Sequence, residues 1–177
     1  MSVQIGAKPD SGFDDPIGML IDCHRRIVHF VNILWYVVDR AVNRALTNEE
    51  KSVIETSLEY FRTGGARHNQ DEEDSLFPRL GNRAGEESVV ELSELKHDHQ
   101  IAAGLHKEVE RLYRKWIASG SLDMLDWQDL SGATQRLKDL YIAHIKVEEE
   151  VVFPRAANTL DAATIRAIGD EFLNRRK

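Results

Sequence analysis

Apolar positions recur at alternating spacings of three and four along most of the chain, the period of amphipathic helices, and no strand-like alternation interrupts them. The first seam runs Ile17, Leu20, His24, Ile27, Val31, Leu34, Val38, Ala41 and Ala45, with Asp15 placed to cap it and Pro16 in its first turn. Thr47 and Glu50 form a capping box for a second helix, whose inner face runs Ile54, Leu58, Phe61, Gly65, His68, Glu72 and Leu76 before Pro78, with its end taken at Leu80. A third seam follows Leu92, Leu95, His99, Ala102, His106, Val109, Tyr113 and Trp116 and closes near Gly120. The fourth follows Leu130, Ala133, Leu137, Leu140, His144, Glu148 and Val151 and ends at Pro154. Beyond Asp161, Ile165, Ile168 and Phe172 or Leu173 predict a short fifth helix. The expected fold is all-α, an antiparallel up-down four-helix bundle over residues 15–155, with a flexible lead-in at 1–14 and the C-terminal helix within 156–177.

The pattern contains itself twice. His68-Asn-Gln-Asp-Glu72-Glu73 leads to Phe77-Pro78, and His144-Ile-Lys-Val-Glu148-Glu149 leads to Phe153-Pro154, with His, Glu, Glu, Phe and Pro at the same offsets, 76 residues apart. His24 and His99 precede these segments at a spacing of 75, each with a leucine four residues earlier, Leu20 and Leu95. The bundle is therefore expected to be two copies of one helical hairpin.

Residues equally far from a hairpin turn lie level on antiparallel helices, since each residue adds about 1.5 Å of rise. His24 lies 22 residues before the first turn and His68 21 after it; His68 lies 12 before the middle connection and His99 13 after. His99 is 21 residues before the third turn and His144 18 after it, so all four imidazoles fall in one layer to within a helical turn. His68 with Glu72, and His144 with Glu148, are four apart and share the inward face. Burying two carboxylates and four imidazoles without partners costs several kcal/mol, and a pair of cations reverses that sign. His24, His68, Glu72, His99, His144 and Glu148 are accordingly the candidate metal ligands. Four imidazole nitrogens and two carboxylates suit two ions bridged by the carboxylates, with iron expected and zinc or manganese as competitors.

One His-x-x-x-Glu is ordinarily a surface ion pair; two in register, each facing a further histidine, are not. Glu73 and Glu149 turn about 100° from their neighbours and are expected as solvated acids, with an acceptor role behind the ligands open to either. His29 and His97 fall off the seams and are expected at the surface. His106 is on the third seam but about 10.5 Å along the axis from His99, too far for the same ions, and reads as a polar core residue or the lining of a route to the site. Cys23 reads as a packed thiol, and as the one cysteine it excludes an internal disulfide and any thiolate-rich cluster within the chain. Gly64 and Gly65, one turn before His68, signify close packing or room for a small ligand. Tyr113, Trp116, Tyr141 and Trp35 are expected as core or rim aromatics, and oxidisable side chains of this kind near a metal pair can carry electrons.

Lys and Arg number 23 against 30 Asp and Glu, a net charge of −7 without a basic strip, which argues against nucleic acid as a partner. The longest apolar run, Ile33 to Val38, is too short for a bilayer, and Met1 to Pro16 lacks the character of a signal peptide, so no membrane contact and a cytoplasmic location are expected. A ferritin-type site needs Glu-x-x-His on two helices, and only Glu94 with the off-seam His97 offers one; His-Glu-x-x-His is absent.

A histidine on the first helix followed by H-x-x-x-E-E into Phe-Pro, the whole repeated over about residues 15 to 155, resembles the hemerythrin-like family of HHE cation-binding domains. The resemblance implies a non-haem di-iron centre on His24, His68, Glu72, His99, His144 and Glu148, with oxo or hydroxo bridging from solvent. Oxygen-carrying hemerythrins place two histidines one turn apart on the third helix, whereas the positions four either side of His99 are Leu95 and Ala103. With one nitrogen fewer, the resemblance implies exchangeable positions on both ions, suited to sensing or reaction. Related iron–sulfur repair proteins carry a cysteine-bearing N-terminal segment, which Met1 to Pro16 does not match. The expected function is binding or sensing of dioxygen, nitric oxide or peroxide. A peroxide-decomposing or oxidase enzyme and an iron-buffering protein stand as alternatives.

Overall fold

The computed structural model describes residues 10–42, 44–83 and 86–177 and contains no strand among them. Its elements are five helical rods. α1 spans Pro16–Arg40, α3 Glu86–Ser119 and α5 Ala162–Asn174. α2 is continuous over 48–81 but changes pitch, with α-helical Asn48–Tyr60, Ala66–Asp71 and Phe77–Gly81 separated by π turns at Phe61–Gly65 and Glu72–Leu76. α4 repeats the device, with α-helical Met124–Val147, a π turn at Glu148–Val152, and α-helical Phe153–Thr159. α1 packs against α2 and α4, and α3 against α4 and α2, an arrangement compatible with two hairpins forming a bundle, while α5 lies across α1 and the second π turn of α2.

The local chemistry explains the ends. Asp15 accepts from Gly18 N at the start of α1, and Thr47 and Glu50 exchange both bonds of the capping box, at 3.1 and 2.8 Å. Gly120 takes φ 79° just past α3, a left-handed stop that glycine adopts without strain. Of the expected lead-in, residues 1–9 lie outside the described residues; at 10–14, Ser11 N donates to Asp22 and Phe13 packs beside the apolar cluster that includes Phe172.

Three sequence expectations are corrected. α1 stops at Arg40, so Ala45 is exposed rather than part of the seam. α4 does not end at Pro154 but runs through it, as α2 runs through Pro78 to an end close to the expected Leu80. The reason is the π turn: Phe77 N donates to Glu72 O and Phe153 N to Glu148 O, five residues back, and each proline then falls at the start of a new α segment where its missing donor costs nothing. The extra residue also shifts the seam, so Val152 is buried and Val151, expected inside, is 38% exposed. On α5 it is Phe172 that is buried, with Leu173 outside.

Two apolar clusters fill the molecule. One lies between the lower halves of the helices, with Val31, Leu34, Val109, Leu130 and Leu137; the other holds Leu20, Leu76, Leu95, Val152 and Phe172. The histidine layer separates them.

Candidate metal centre

The six residues predicted from the seams come together between the two clusters, each of them at most 5% exposed. Their donor atoms form two groups, His24, His68, Glu72 and Glu148 in one and His99, His144, Glu72 and Glu148 in the other, with the atoms of each group within 4.8 Å of one another. Both groups include the same two carboxylates.

His24 Nδ1 lies 2.8 Å from Glu149, His99 Nδ1 2.6 Å from Glu73, and His144 Nδ1 3.2 Å from Asp98. A carboxylate accepts, so each Nδ1 carries the hydrogen and each neutral ring turns its Nε2 lone pair inward. Inside, acceptors face acceptors. His24 Nε2 is 3.0 Å from Glu148, His144 Nε2 3.1 Å from Glu148, and His99 Nε2 3.1 Å from His144 Nε2. His68 Nε2 and His99 Nε2 each lie 3.4 Å from the same oxygen of Glu72. His24 Nε2, His68 Nδ1 and all four carboxylate oxygens of Glu72 and Glu148 have no hydrogen-bond partner. Buried lone pairs converging in this way are satisfied by cations, and the donor set fits a pair of them.

Without cations, protons are the substitute. Burial disfavours charge on His24 and His144, but Glu148 beside each outweighs it and raises both. His68 is driven well below its ordinary value by burial and by the charge of His24. Burial and the neighbouring Glu148 drive the Glu72 carboxyl well above the usual carboxylate range. Burial also pushes Glu148 up, yet His144 and His24, which can protonate about 3 Å from it, reverse this and lower it.

The rest of each repeat serves the neighbouring helix. On α2, Glu73 holds His99 of α3, and Phe77 stacks on the same ring at 6.3 Å. On α4, Glu149 holds His24 of α1, and Phe153 stacks on it at 5.4 Å. Glu73 and Glu149, expected as solvated acids, are thus 36% and 39% exposed at the side chain but fix the tautomers of two candidate ligands. Sequence reasoning missed Asp98, whose adjacency to His99 was its one visible sign, and also Asp71. That carboxylate is 1% exposed and accepts from Arg175 at 2.9 Å and Arg176 at 2.6 Å, pinning α5 to the helix between His68 and Glu72.

His29 and His97 are exposed and outside the cluster, as expected. Cys23 is buried and accepts from Arg26 at 3.3 Å; burial pushes its thiol up, so it is a packed thiol. Gly65 lines a cavity of about 310 Å³ together with Phe61, Ala102, Ala103, His106 and Tyr141, and both glycines fall within the first π turn of α2. No helix among the described residues is long and apolar enough to cross a membrane.

Comparison with known proteins agrees with this geometry. An uncharacterised protein from Haemophilus influenzae (strain ATCC 51907 / DSM 11121 / KW20 / Rd) is 25% identical over 170 residues, covering 93% of this chain and 92% of that protein. The family model of the hemerythrin HHE cation-binding domain matches residues 15–162, which takes in every residue of the cluster. The chain belongs to the hemerythrin HHE cation-binding domain family.

Proposed function

We propose that this is a non-haem di-iron protein that binds or senses dioxygen, nitric oxide or peroxide. The observation that carries the reading is the sharing of Glu72 and Glu148, whose four carboxylate oxygens lack partners, by two four-residue donor groups. One ion would be held by His24 and His68, the other by His99 and His144, with both carboxylates common to the two. Iron bound there supplies one- and two-electron redox chemistry and sites for small exogenous ligands, because two nitrogens and two shared carboxylates leave an iron ion short of six donors. Zinc or manganese would compete for the same donors.

The chain's own residues do the rest. Glu149, Glu73 and Asp98 hold three imidazoles in the tautomer that offers Nε2 inward. The stacked Phe153 and Phe77 fix ring orientation, and the apolar clusters on either side exclude bulk water. A shallow opening lined by His24, Arg25, Val28, Ile145 and Glu149 brings solvent near one edge of the layer.

Turnover of peroxide is the second reading, and the cavity lined by Gly65, Ala103, His106 and Tyr141 favours it by offering space for a small molecule between α2 and α3. Purification from iron-supplemented cells, with metal content and the visible spectrum recorded before reduction, after it and on re-exposure to air, tests the proposal. One iron for each donor group and bands that respond to oxygen, nitric oxide or peroxide are expected. Iron taken up without any such response would leave a buffer, and failure to retain stoichiometric iron would sink the reading.

A further inference from the structure

All four tyrosines lie among the described residues, and they differ in what stands at the hydroxyl. Tyr113 donates to the backbone carbonyl of Leu34, and Tyr60 to that of Cys23 at 3.3 Å. Tyr36 is half exposed, with the Arg40 guanidinium over its ring. A carbonyl accepts a hydrogen bond but does not take the proton. Tyr141 is placed otherwise, its hydroxyl 2.7 Å from Nε2 of His106. Burial pushes that imidazole down to about 4, so it is neutral near pH 7, and in the tautomer with hydrogen on Nδ1 its Nε2 accepts from the phenol. Burial also raises the phenol, so the proton rests on oxygen.

The pair sits close under the metal layer. Tyr141 precedes His144 by three residues on α4, about 4.5 Å of rise, and both are buried. His106 follows His99 by two turns on α3, and the Phe61 ring lies 4.2 Å from His106 and 5.9 Å from Tyr141. On its far side the pair lines the 310 Å³ cavity, whose rim carries the exposed Arg62 and Lys107. Removing an electron from a phenol makes its hydroxyl strongly acidic, so oxidation is easy only where a base receives the proton as the electron leaves. Of the four tyrosines, Tyr141 alone has an imidazole hydrogen-bonded to its hydroxyl.

Resting on the di-iron reading above, we propose that Tyr141 is a one-electron donor to the metal centre when hydrogen peroxide is reduced there, with His106 Nε2 as the base that takes its phenolic proton. Reduction of one peroxide to two waters consumes two electrons and two protons. Tyr141 gives one electron and becomes a neutral phenoxyl radical; its O–H bond breaks and an N–H bond forms on His106, which becomes imidazolium. Ferrous iron gives the second electron and rises to ferric, and solvent supplies the two protons that complete the waters.

The test uses the full chain reconstituted with ferrous iron. Iron content and the visible spectrum are recorded first, then the protein is mixed with hydrogen peroxide, frozen rapidly and examined by electron paramagnetic resonance. An organic radical is expected whose hyperfine pattern changes when the chain is grown with ring-deuterated tyrosine. It should be lost in Tyr141→Phe and in His106→Gln and retained in Tyr60→Phe and Tyr113→Phe, all four with native iron content. In the metal-free chain, nitrogen chemical shifts of His106 should report a neutral ring protonated at Nδ1. A radical undiminished in Tyr141→Phe, or none while the loaded chain consumes peroxide, overturns this inference alone. A chain that retains no iron pair overturns the functional reading and this inference together.

Discussion

On α2, Asp71 is buried beneath two arginines just past the end of α5, Ser75 bonds to Glu171 at 2.5 Å and Arg79 bonds to the same carboxylate at 2.6 Å. At the equivalent places on α4, 76 residues on, stand Val147, Val151 and Arg155, and Arg155 pairs instead with Glu91 at 2.5 Å. Gly65, which opens the cavity, has Tyr141 as its equivalent, which fills part of it. Yet His68 and His144, Glu72 and Glu148, Glu73 and Glu149, and Phe77 and Phe153 keep equivalent roles. The difference separates two demands on a duplicated hairpin. Side chains that face the shared pair of carboxylates must match, whereas those that face outward follow whatever covers them, and α5 packs against α1 and the second π turn of α2 in the first copy.

The inward symmetry is broken most severely at the carboxylates common to both donor groups. Glu72→Ala or Glu148→Ala should abolish binding of both ions, since each group loses a donor, whereas His68→Ala or His144→Ala removes a donor from one group only. Metal content of the purified variants checks this, and retention of one full equivalent in Glu72→Ala would refute the sharing. Metal removal should also expose the cost of the pair. The Glu72 carboxyl is raised by burial and by Glu148, so the metal-free chain keeps this contribution to stability below the ordinary value of 4.5 and loses it as the pH rises. Glu72→Gln should therefore raise the melting temperature of the metal-free chain near pH 7 while eliminating metal binding.

The outward asymmetry is broken next. Asp71→Ala leaves Arg175 and Arg176 without their buried partner, and because both guanidiniums can regain water the loss should be about 3 kcal/mol, the low end for a broken buried pair. In a chain of this length that lowers the melting temperature by roughly 6–12 °C. Val147→Ala at the equivalent position should cost about 1 kcal/mol or less, the scale of a half-buried apolar contact. Equal losses in the two variants, measured by thermal unfolding, would remove the distinction between the copies.

How far this was legible in the sequence follows the same division. The six inward residues could be found because helical period, repeat and distance from each turn all depend on local spacing, and these fixed which positions meet. The π turns could not, because Phe77 and Phe153 bonding five residues back looks, in sequence, like any helix approaching a proline. That one extra residue moved burial from Val151 to Val152 and carried α4 past Pro154. Glu73 and Glu149 were seen, with the acceptor role left open beside the solvated one, since their partners belong to other helices and a single-helix projection cannot show them. Asp71 was invisible for the same reason: its arginines lie 104 and 105 residues away.

An effect spread over a pH window tests the other outward difference, the cavity side. Burial lowers His106 from 6.5 to about 4, so the unfolded chain binds more protons than the folded one between those values. The contribution is complete above pH 6.5, falls as the pH drops towards 4 and is flat below, amounting to about 3 kcal/mol in all. Comparing stability against pH for the wild type and His106→Gln in the same metal state isolates it. The difference between the two curves should shrink through that window, and a difference independent of pH would show that the ring titrates normally.

The finest distinction lies among the acids behind the histidines. Removing such a group generally costs 10- to 100-fold in metal affinity. Glu149 supports His24 in a donor group whose other histidine, His68, has no partner at Nδ1. Glu73 supports His99 in the group where Asp98 still holds His144. Glu149→Gln should therefore weaken its ion more than Glu73→Gln weakens the other, because it leaves a group with neither imidazole held by a carboxylate. Chelator competition on each variant measures the two affinities. If Glu73→Gln proved the more damaging, ring orientation would have to be set by the stacked Phe77 and Phe153 and the apolar walls, not by these carboxylates.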